Sequence, residues 1–350
     1  MTKPVVLVTG AGGFIGGWVA EALHLAGWNV RAGISRWTSA ARIARFPLTI
    51  VQCDVMNGAS LDEALKGVDA VVHCARGKEE DDEVTKAGTR LLIERAKAAG
   101  AKKLVFTSSV AVYGEATGEI DEDATPVGPM TDYGNSKRLA ETVCAELASD
   151  DFPIVAIRPT LVYGPFSQQW STPYITRFAS GRWTALGERG EGKCNLVYVG
   201  DLVRMILFMI ENDTGAYAVF NGNGPEVPTW NSYLERFNAA LGFPPLAAPD
   251  PSLGLKVAIR RPVRKVGKYL LANHRELLMA VASRSPRIKN AMKKAEEDLR
   301  LRPNDDEMTR FSTDVVYSME RARKIGFVPK TSVDEGIAMT VDWARSTGLV

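Results

Sequence analysis

The first half of the chain alternates short apolar runs with longer amphipathic stretches. Runs at Val5 to Val8, Val30 to Ile34, Thr49 to Cys53, Ala70 to His73, Lys103 to Thr107 and Ile154 to Ile157 are four or five residues long and rich in Val and Ile, as buried strands are. Between them, apolar residues at helical spacing predict helices that include Val84 to Ala99 and Ser136 to Ala148. Strand and helix in repeated alternation predict an α/β fold, a doubly wound parallel sheet with helices on both faces. Ligands of such sheets bind outside the carboxyl ends of the strands.

Beyond Pro159 the pattern loosens, with Gly, Pro and Trp through the loop from Gly164 to Gly192. A helix around Leu202 to Ile210 and a strand near Ala216 to Phe220 mark a return to the sheet. The expected organisation is a core over residues 1–165 with 195–222 returning to it. A smaller, mainly helical lobe for the substrate is expected over 166–194 and 223–350.

The 350 residues can bury a large core, and the charge is nearly balanced at a formal +2. No stretch approaches the ~18 to 20 continuous apolar residues of a membrane span. The first apolar run is too short for a secretory leader, so a cytoplasmic location is the expectation. Four cysteines (Cys53, Cys74, Cys144, Cys194) lack metal or disulfide spacing, and His24, His73 and His274 stand apart, so no metal site is predicted.

One region departs from the even charge. Residues 251–300 carry 13 Lys or Arg against 4 Asp or Glu, which leaves the rest of the chain at about −7. Leu270, Leu277, Leu278 and Val281 fall there at near-helical spacing beside Arg260, Arg261, Arg264, Lys265 and Lys268. A packed helix with a solvated basic face is the plain reading; peripheral contact with a membrane or a lipid-linked substrate is the functional one. Nucleic-acid binding is not expected, because no aromatic residues interleave the charges as a stacking platform.

The candidate chemistry sits at strand ends. Thr9-Gly10-Ala11-Gly12-Gly13-Phe14-Ile15-Gly16 follows the first strand and opens a helix. Gly10, Gly13 and Gly16 permit a tight turn, close backbone approach to a pyrophosphate and close helix packing, which makes the core a Rossmann-type dinucleotide domain. Far downstream, Tyr133 and Lys137 share a helix face at i and i+4. A nearby ammonium favours an ionised phenol, and proton transfer needs a pKa drawn down from ~10 toward the working pH. The second strand ends in Ile34-Ser35-Arg36 without a carboxylate. Ser35 and Arg36 can donate to a 2′-phosphate, so NADP(H) is favoured over NAD(H).

Together with Thr107-Ser108-Ser109, Cys53-Asp54-Val55, Val72-His73-Cys74-Ala75, the run Arg158-Pro159-Thr160-Leu161-Val162-Tyr163-Gly164-Pro165 and Val197-Tyr198-Val199-Gly200-Asp201, these motifs make the chain resemble the extended short-chain dehydrogenase/reductase superfamily, in its NAD(P)-dependent epimerase/dehydratase branch. The resemblance spans nearly the whole length. It implies that Tyr133 exchanges a proton with the substrate oxygen, that Lys137 holds the nicotinamide ribose and depresses the phenol pKa, and that Ser109 hydrogen-bonds the reacting oxygen. It implies cofactor contacts at Gly10, Gly12, Gly13, Phe14, Ile15, Gly16, Asp54, Val55, Cys74, Ala75, Arg76, Thr107, Tyr133, Lys137, Pro159, Thr160, Leu161 and Val162. A homodimer through the helices near Val84 to Ala99 and Ser136 to Ala148 is implied as well.

Three departures shape the functional expectation. Thr85 stands where relatives place an Asn that orders the lysine, and Arg76 stands where a small residue is usual. Cys194 occupies the position of an arginine that grips the diphosphate of sugar nucleotides, and a thiol cannot replace a guanidinium. Arg189, Lys193, Arg310 or the basic cluster of 251–300 can compensate; otherwise the small-molecule substrate lacks a nucleotide diphosphate and the Trp170, Tyr174 and Trp183 region offers it an apolar or sugar-stacking wall. The leading expectation is an NADP(H)-dependent oxidoreductase acting on a secondary alcohol or ketone of a sugar-like or lipid-linked substrate. An NAD-dependent sugar epimerase is the alternative, followed by a non-catalytic nucleotide sensor.

Overall fold

The computed structural model describes residues 4–76, 82–249, 290 and 301–350. The basic stretch 251–300 therefore lies, apart from Asn290, outside the described residues. The chain divides into two compact units. The first comprises Met1–Ser167, Asn195–Glu226 and Val315–Gly336, and the second Gln168–Cys194, Val227–Asp314 and Ile337–Val350.

The first unit is built on β1 (Val5–Thr9), β2 (Asn29–Ile34), β3 (Thr49–Gln52), β4 (Ala70–His73), β5 (Lys103–Thr107), β6 (Gly118–Ile120), β7 (Ile154–Pro159), β8 (Leu161–Tyr163), β9 (Leu196–Tyr198), β10 (Tyr217–Gly222) and β11 (Val315–Tyr317). Seven of these form one sheet in the order β10-β7-β5-β4-β1-β2-β3. All its pairings are parallel. Strand order reverses between β1 and β4, which is where a doubly wound sheet opens a crevice. Leu7, Val71, Leu104, Phe106, Ile154 and Ala156 form one buried face with α2 (Gly58–Ala64), α3 (Asp82–Ala98) and α4 (Asp132–Leu147). On the other side α1 (Phe14–Leu25) packs with α6 (Val199–Glu211), and α6 also contacts β5 and β7.

Strands alternate side chains between faces, so a sheet covered on both needs the continuous apolar runs seen here. The six predicted strands are all present, and so is the late helix and strand pair as α6 and β10. One boundary moves with consequence for the site. The fourth helix starts at Asp132 rather than Ser136, because the Thr131 side chain caps it by accepting from the Gly134 amide. Tyr133 thus lies in its first turn.

The predicted extent of the second lobe is corrected at 315–336. These residues belong to the first unit, since β11 pairs in parallel with β6 and Asn195 donates to the Val315 carbonyl at 2.8 Å.

The second unit holds α5 (Thr172–Ala179), α7 (Trp230–Ala240) and the helix Asp305–Ser312. Its interior is aromatic: Trp230 meets Phe311 at 4.8 Å between ring centroids, and Tyr174 meets Trp183 edge-on at 5.9 Å. Arg177 runs between Tyr174 and Trp183 and pairs with Glu307 at 2.6 Å. Glu307 also completes a capping box with Asn304. Of the Trp170, Tyr174 and Trp183 region expected to offer the substrate an apolar or sugar-stacking wall, Tyr174 and Trp183 are buried in this interior and Trp170 is half-buried.

Candidate active site

The glycine turn is as tight as its sequence requires. Gly13 donates to the Gly10 carbonyl at 2.9 Å, and Gly10 has φ +68°, a region that favours glycine. A Cβ on Gly10 would lie 2.8 Å from the Ala75 amide, one on Gly12 2.5 Å from the Ser39 carbonyl, and one on Gly16 2.3 Å from the Gly10 carbonyl. Gly13 then caps α1 without a side-chain hydrogen bond, and Phe14, Ile15 and the rest of the first turn bring no acidic residue. A helix N-terminus without an acidic residue behind a glycine-rich turn suits a pyrophosphate. The residues therefore fit a dinucleotide. Gly12→Val is expected to weaken dinucleotide binding at least about tenfold, read by fluorescence titration with NADPH and NADH.

Ser35 and Arg36 follow β2 and are exposed, available to an adenosine ribose or its phosphate. Asp54 is exposed after β3 and accepts from the Met56 amide at 3.0 Å, so it caps its own turn; Val55 adjoins it and would be met by a Cβ on Gly88.

At the end of β4 the polar groups interlock. The Thr9 hydroxyl bonds His73 Nδ1 at 2.8 Å and accepts from the Ala75 amide at 3.3 Å, while His73 Nε2 meets the Thr89 hydroxyl at 3.3 Å. Cys74 Sγ touches the Thr107 hydroxyl at 3.3 Å. Burial, with the Lys137 charge second, lowers the His73 pKa to about 3. His73 thus stays neutral in the fold while an unfolded chain protonates it below ~6.5, so its contribution is complete above that pH and is lost on acidification toward about 3. The expected slope is about 1.4 kcal/mol of stability per pH unit below 6.5, and NMR should find no His73 imidazole titration between about pH 5 and 8.

The reacting groups converge from β5 and α4. Lys137, only 4% exposed, donates to the Thr107 carbonyl at 2.7 Å, and its ammonium lies 4.7 Å from the Phe106 ring centroid. Burial pulls its pKa down to about 8. The Ser109 hydroxyl accepts from the Ala111 amide at 3.2 Å and pulls the pKa of the Tyr133 phenol down, less strongly than burial raises it. Ser108, its neighbour on the strand end, donates to Glu141 instead, in keeping with the alternation of side chains along a strand. The packing is close: a Cβ on Gly134 would stand 2.4 Å from the Ala111 carbonyl.

The phenol pKa is raised by burial, against smaller opposing pulls from Ser109 and the Arg76 charge, rather than depressed as the resemblance implies. The cation stacked on the phenol is Arg76, its guanidinium carbon 5.8 Å from the ring centroid.

Of the remaining predicted contacts, Thr160 turns its hydroxyl to the Gly222 carbonyl at 3.2 Å and to Asn223 at 3.1 Å, while Leu161 and Val162 form β8 after Pro159. Sequence reasoning missed the support behind the site. Glu141 takes Arg158 Nε at 2.9 Å and Nη2 at 2.6 Å, and Arg158 Nη1 donates to the Tyr113 hydroxyl at 2.9 Å and the Glu122 carbonyl at 3.1 Å. Glu141 lies one turn beyond Lys137, so the available signal was Lys137-x-x-x-Glu141 on a core-facing helix with an arginine closing β7.

A profile of the NAD dependent epimerase/dehydratase family matches residues 6–221, from β1 through β10. The chain belongs to that family. As an epimerase/dehydratase family member it is an NAD(P)-dependent enzyme of the extended short-chain dehydrogenase/reductase superfamily. It is 32% identical over 227 residues to an N-acetyl-alpha-D-glucosaminyl-diphospho-ditrans,octacis-undecaprenol 4-epimerase of Escherichia coli O157:H7, an alignment covering 62% of this chain and 66% of that protein. It is 27% identical over 354 residues to a 2-alkyl-3-oxoalkanoate reductase of Stenotrophomonas maltophilia, covering 95% of this chain and 97% of that one. The fold matches the crystal structure of UDP-glucose 4-epimerase from Thermotoga maritima at a TM-score of 0.72 and 20% identity, over 98% of this chain and 99% of that chain. Among the described residues no helix is long and apolar enough to cross a membrane.

Proposed function

We propose that this epimerase/dehydratase family member is an NADP(H)-dependent oxidoreductase that interconverts a ketone and a secondary alcohol on a lipid-like or sugar-like substrate. The observation that carries this reading is the state of Tyr133. Its phenol is kept protonated by burial, against the smaller pull of Ser109. Reduction of a ketone needs a proton donor at the oxygen that becomes an alkoxide, and a protonated phenol is that donor. Ser109 steadies the same oxygen, and Lys137 binds the ribose. Bound against the glycine turn, the cofactor supplies the hydride.

Cys194 supports a substrate without a nucleotide diphosphate. Its thiol is buried, and burial drives its pKa well above the ordinary value, so it offers no charge to a phosphate. The relative aligned along nearly the full length, a 2-alkyl-3-oxoalkanoate reductase, supports a lipid-like ketone. Purified protein mixed with NADPH and a panel of aliphatic ketones should oxidise the cofactor; silence across the panel would remove the reading. Exposed Ser35 and Arg36 support the choice of NADP(H). Arg36→Asp should shift the NADPH/NADH ratio of kcat/KM toward NADH by at least about tenfold, because it places a carboxylate where the phosphate would sit.

The E. coli relative favours a second reading, an epimerase that oxidises and re-reduces a sugar with NAD held throughout. Nucleotide released by denaturation separates the two: tightly retained NAD for the epimerase, exchangeable NADP(H) for the reductase. A homodimer and contact of residues 251–300 with a lipid-linked substrate complete the proposal, testable by sedimentation alone and with vesicles.

A further inference from the structure

Among the described residues, Phe166 is the one non-glycine residue with a left-handed backbone, at φ +70° in the loop that follows β8. Strain of that kind persists where the surroundings enforce it, and it gathers at functional sites. The group against the Phe166 ring is Arg42, whose guanidinium carbon lies 4.2 Å from its centroid and 5.4 Å from that of Trp18. Trp18 in turn donates from its indole to the Pro165 carbonyl at 3.1 Å. Arg42 ends the short helix Trp37–Arg42, and its Nη1 donates at 2.9 Å to the carbonyl of Phe14, the first residue of α1. Segments that follow β1, β2 and β8 thus meet at one guanidinium.

The helix Trp37–Arg42 lies along the glycine turn. A Cβ on Gly12 would meet the Ser39 carbonyl at 2.5 Å, and one on Gly17 would meet Arg42 Nη1 at 3.1 Å. We propose that Arg42 is a positioning residue for the dinucleotide: with Phe166 and Trp18 it holds the glycine turn and the first turn of α1 in the arrangement that accepts a pyrophosphate. The assignment rests on dinucleotide binding and is the same for the reductase and the epimerase readings. Stability alone does not account for this residue. Its side chain is 12% exposed, burial lowers its pKa to about 10, and its Nε and Nη2 lack hydrogen-bond acceptors among the described residues. Its carboxylate partner Glu21 stands 3.7 Å away and pairs more closely with Arg45, at 2.9 Å. A buried cation so poorly satisfied adds little to folding. The rival role is a direct ligand of the adenosine 2′-phosphate beside Ser35 and Arg36. The geometry opposes it, because two rings lie over the guanidinium and one of its ends is committed to Phe14.

The probes are NADPH and NADH, titrated by calorimetry into the full chain. Arg42→Met keeps much of the bulk and removes the donor. It should weaken both dinucleotides by a similar factor of at least about fivefold, while moving the melting temperature by less than about 4 °C. Arg42→Lys should recover part of the affinity, since an ammonium reaches a carbonyl but has no planar face for the rings. Phe166→Gly relaxes the backbone and removes the ring, and it should weaken binding as well. The double variant Arg42→Met, Phe166→Gly should match Arg42→Met within about twofold, as residues that act as one unit do. Unchanged affinity in Arg42→Met, a loss confined to NADPH, or losses that multiply in the double variant would overturn the assignment. So would losses that follow the melting temperature across the variants, which would make Arg42 scaffold alone, or an unaltered protein that binds neither dinucleotide. Intact dinucleotide binding without ketone reduction would leave Arg42 in place and remove the reductase reading instead.

Discussion

Tyr133→Phe is expected to lower kcat for NADPH-driven ketone reduction by about 10²- to 10⁴-fold, the usual worth of a positioned general acid. The variant removes one oxygen. Ser109 keeps its hydrogen bond with the Ala111 amide, Lys137 keeps the Thr107 carbonyl, and Arg76 still meets an aromatic ring. Cofactor affinity should therefore stay within about threefold, because the glycine turn and the start of α1 are untouched. That split matters more than the size of the loss. A fall in kcat with retained NADPH binding assigns the phenol to chemistry, whereas a parallel loss of binding would assign it to the scaffold.

The largest effect on stability is expected at Glu141. Its side chain and that of Arg158 are 8% and 13% exposed, and Glu141→Ala would leave a guanidinium largely out of water with two neutral oxygens, Tyr113 Oη and the Glu122 carbonyl, as its hydrogen-bond acceptors. Breaking a buried ion pair from one side costs about 3–5 kcal/mol. For a unit of this size the melting temperature should drop on the order of 10 °C. The double variant Glu141→Leu, Arg158→Met should recover most of the loss, since desolvation then disappears together with attraction. Calorimetric melting of the three proteins checks this, and a loss below about 1 kcal/mol in Glu141→Ala would mean the pair is not structural. Because Glu141 stands one turn from Lys137 and accepts from Ser108, its removal should also loosen the reacting groups.

The sheet was legible because its inner strands β1, β4, β5 and β7 are buried along almost their whole length and so read as apolar runs. The glycine turn was legible because any side chain there would strike backbone. Other features left weaker marks. Asp132-Tyr133-Gly134-Asn135 is polar throughout, so periodicity missed the first turn of α4, which rests on the Thr131 cap. β6, β8, β9 and β11 are three residues each, too short for alternation to show, and the pairing of β11 with β6 joins positions nearly 200 residues apart. The spacing of Tyr133 and Lys137 put both on one helix face, but it could not say which acceptor the lysine would choose. It chose a carbonyl, and Arg76, expected as a cofactor contact at a position where a small residue is usual, stands beside the phenol ring.

The account turns on Tyr133 as an acid. The measurement closest to that claim is the pH dependence of kcat/KM for ketone reduction by NADPH. A protonated phenol predicts a rate that is level through neutrality and declines only on the alkaline side, with Tyr133→Phe low at every pH. A rate that climbs with pH across the neutral range, as a phenolate base would give, or a Tyr133→Phe profile equal to that of the unaltered protein, would contradict it.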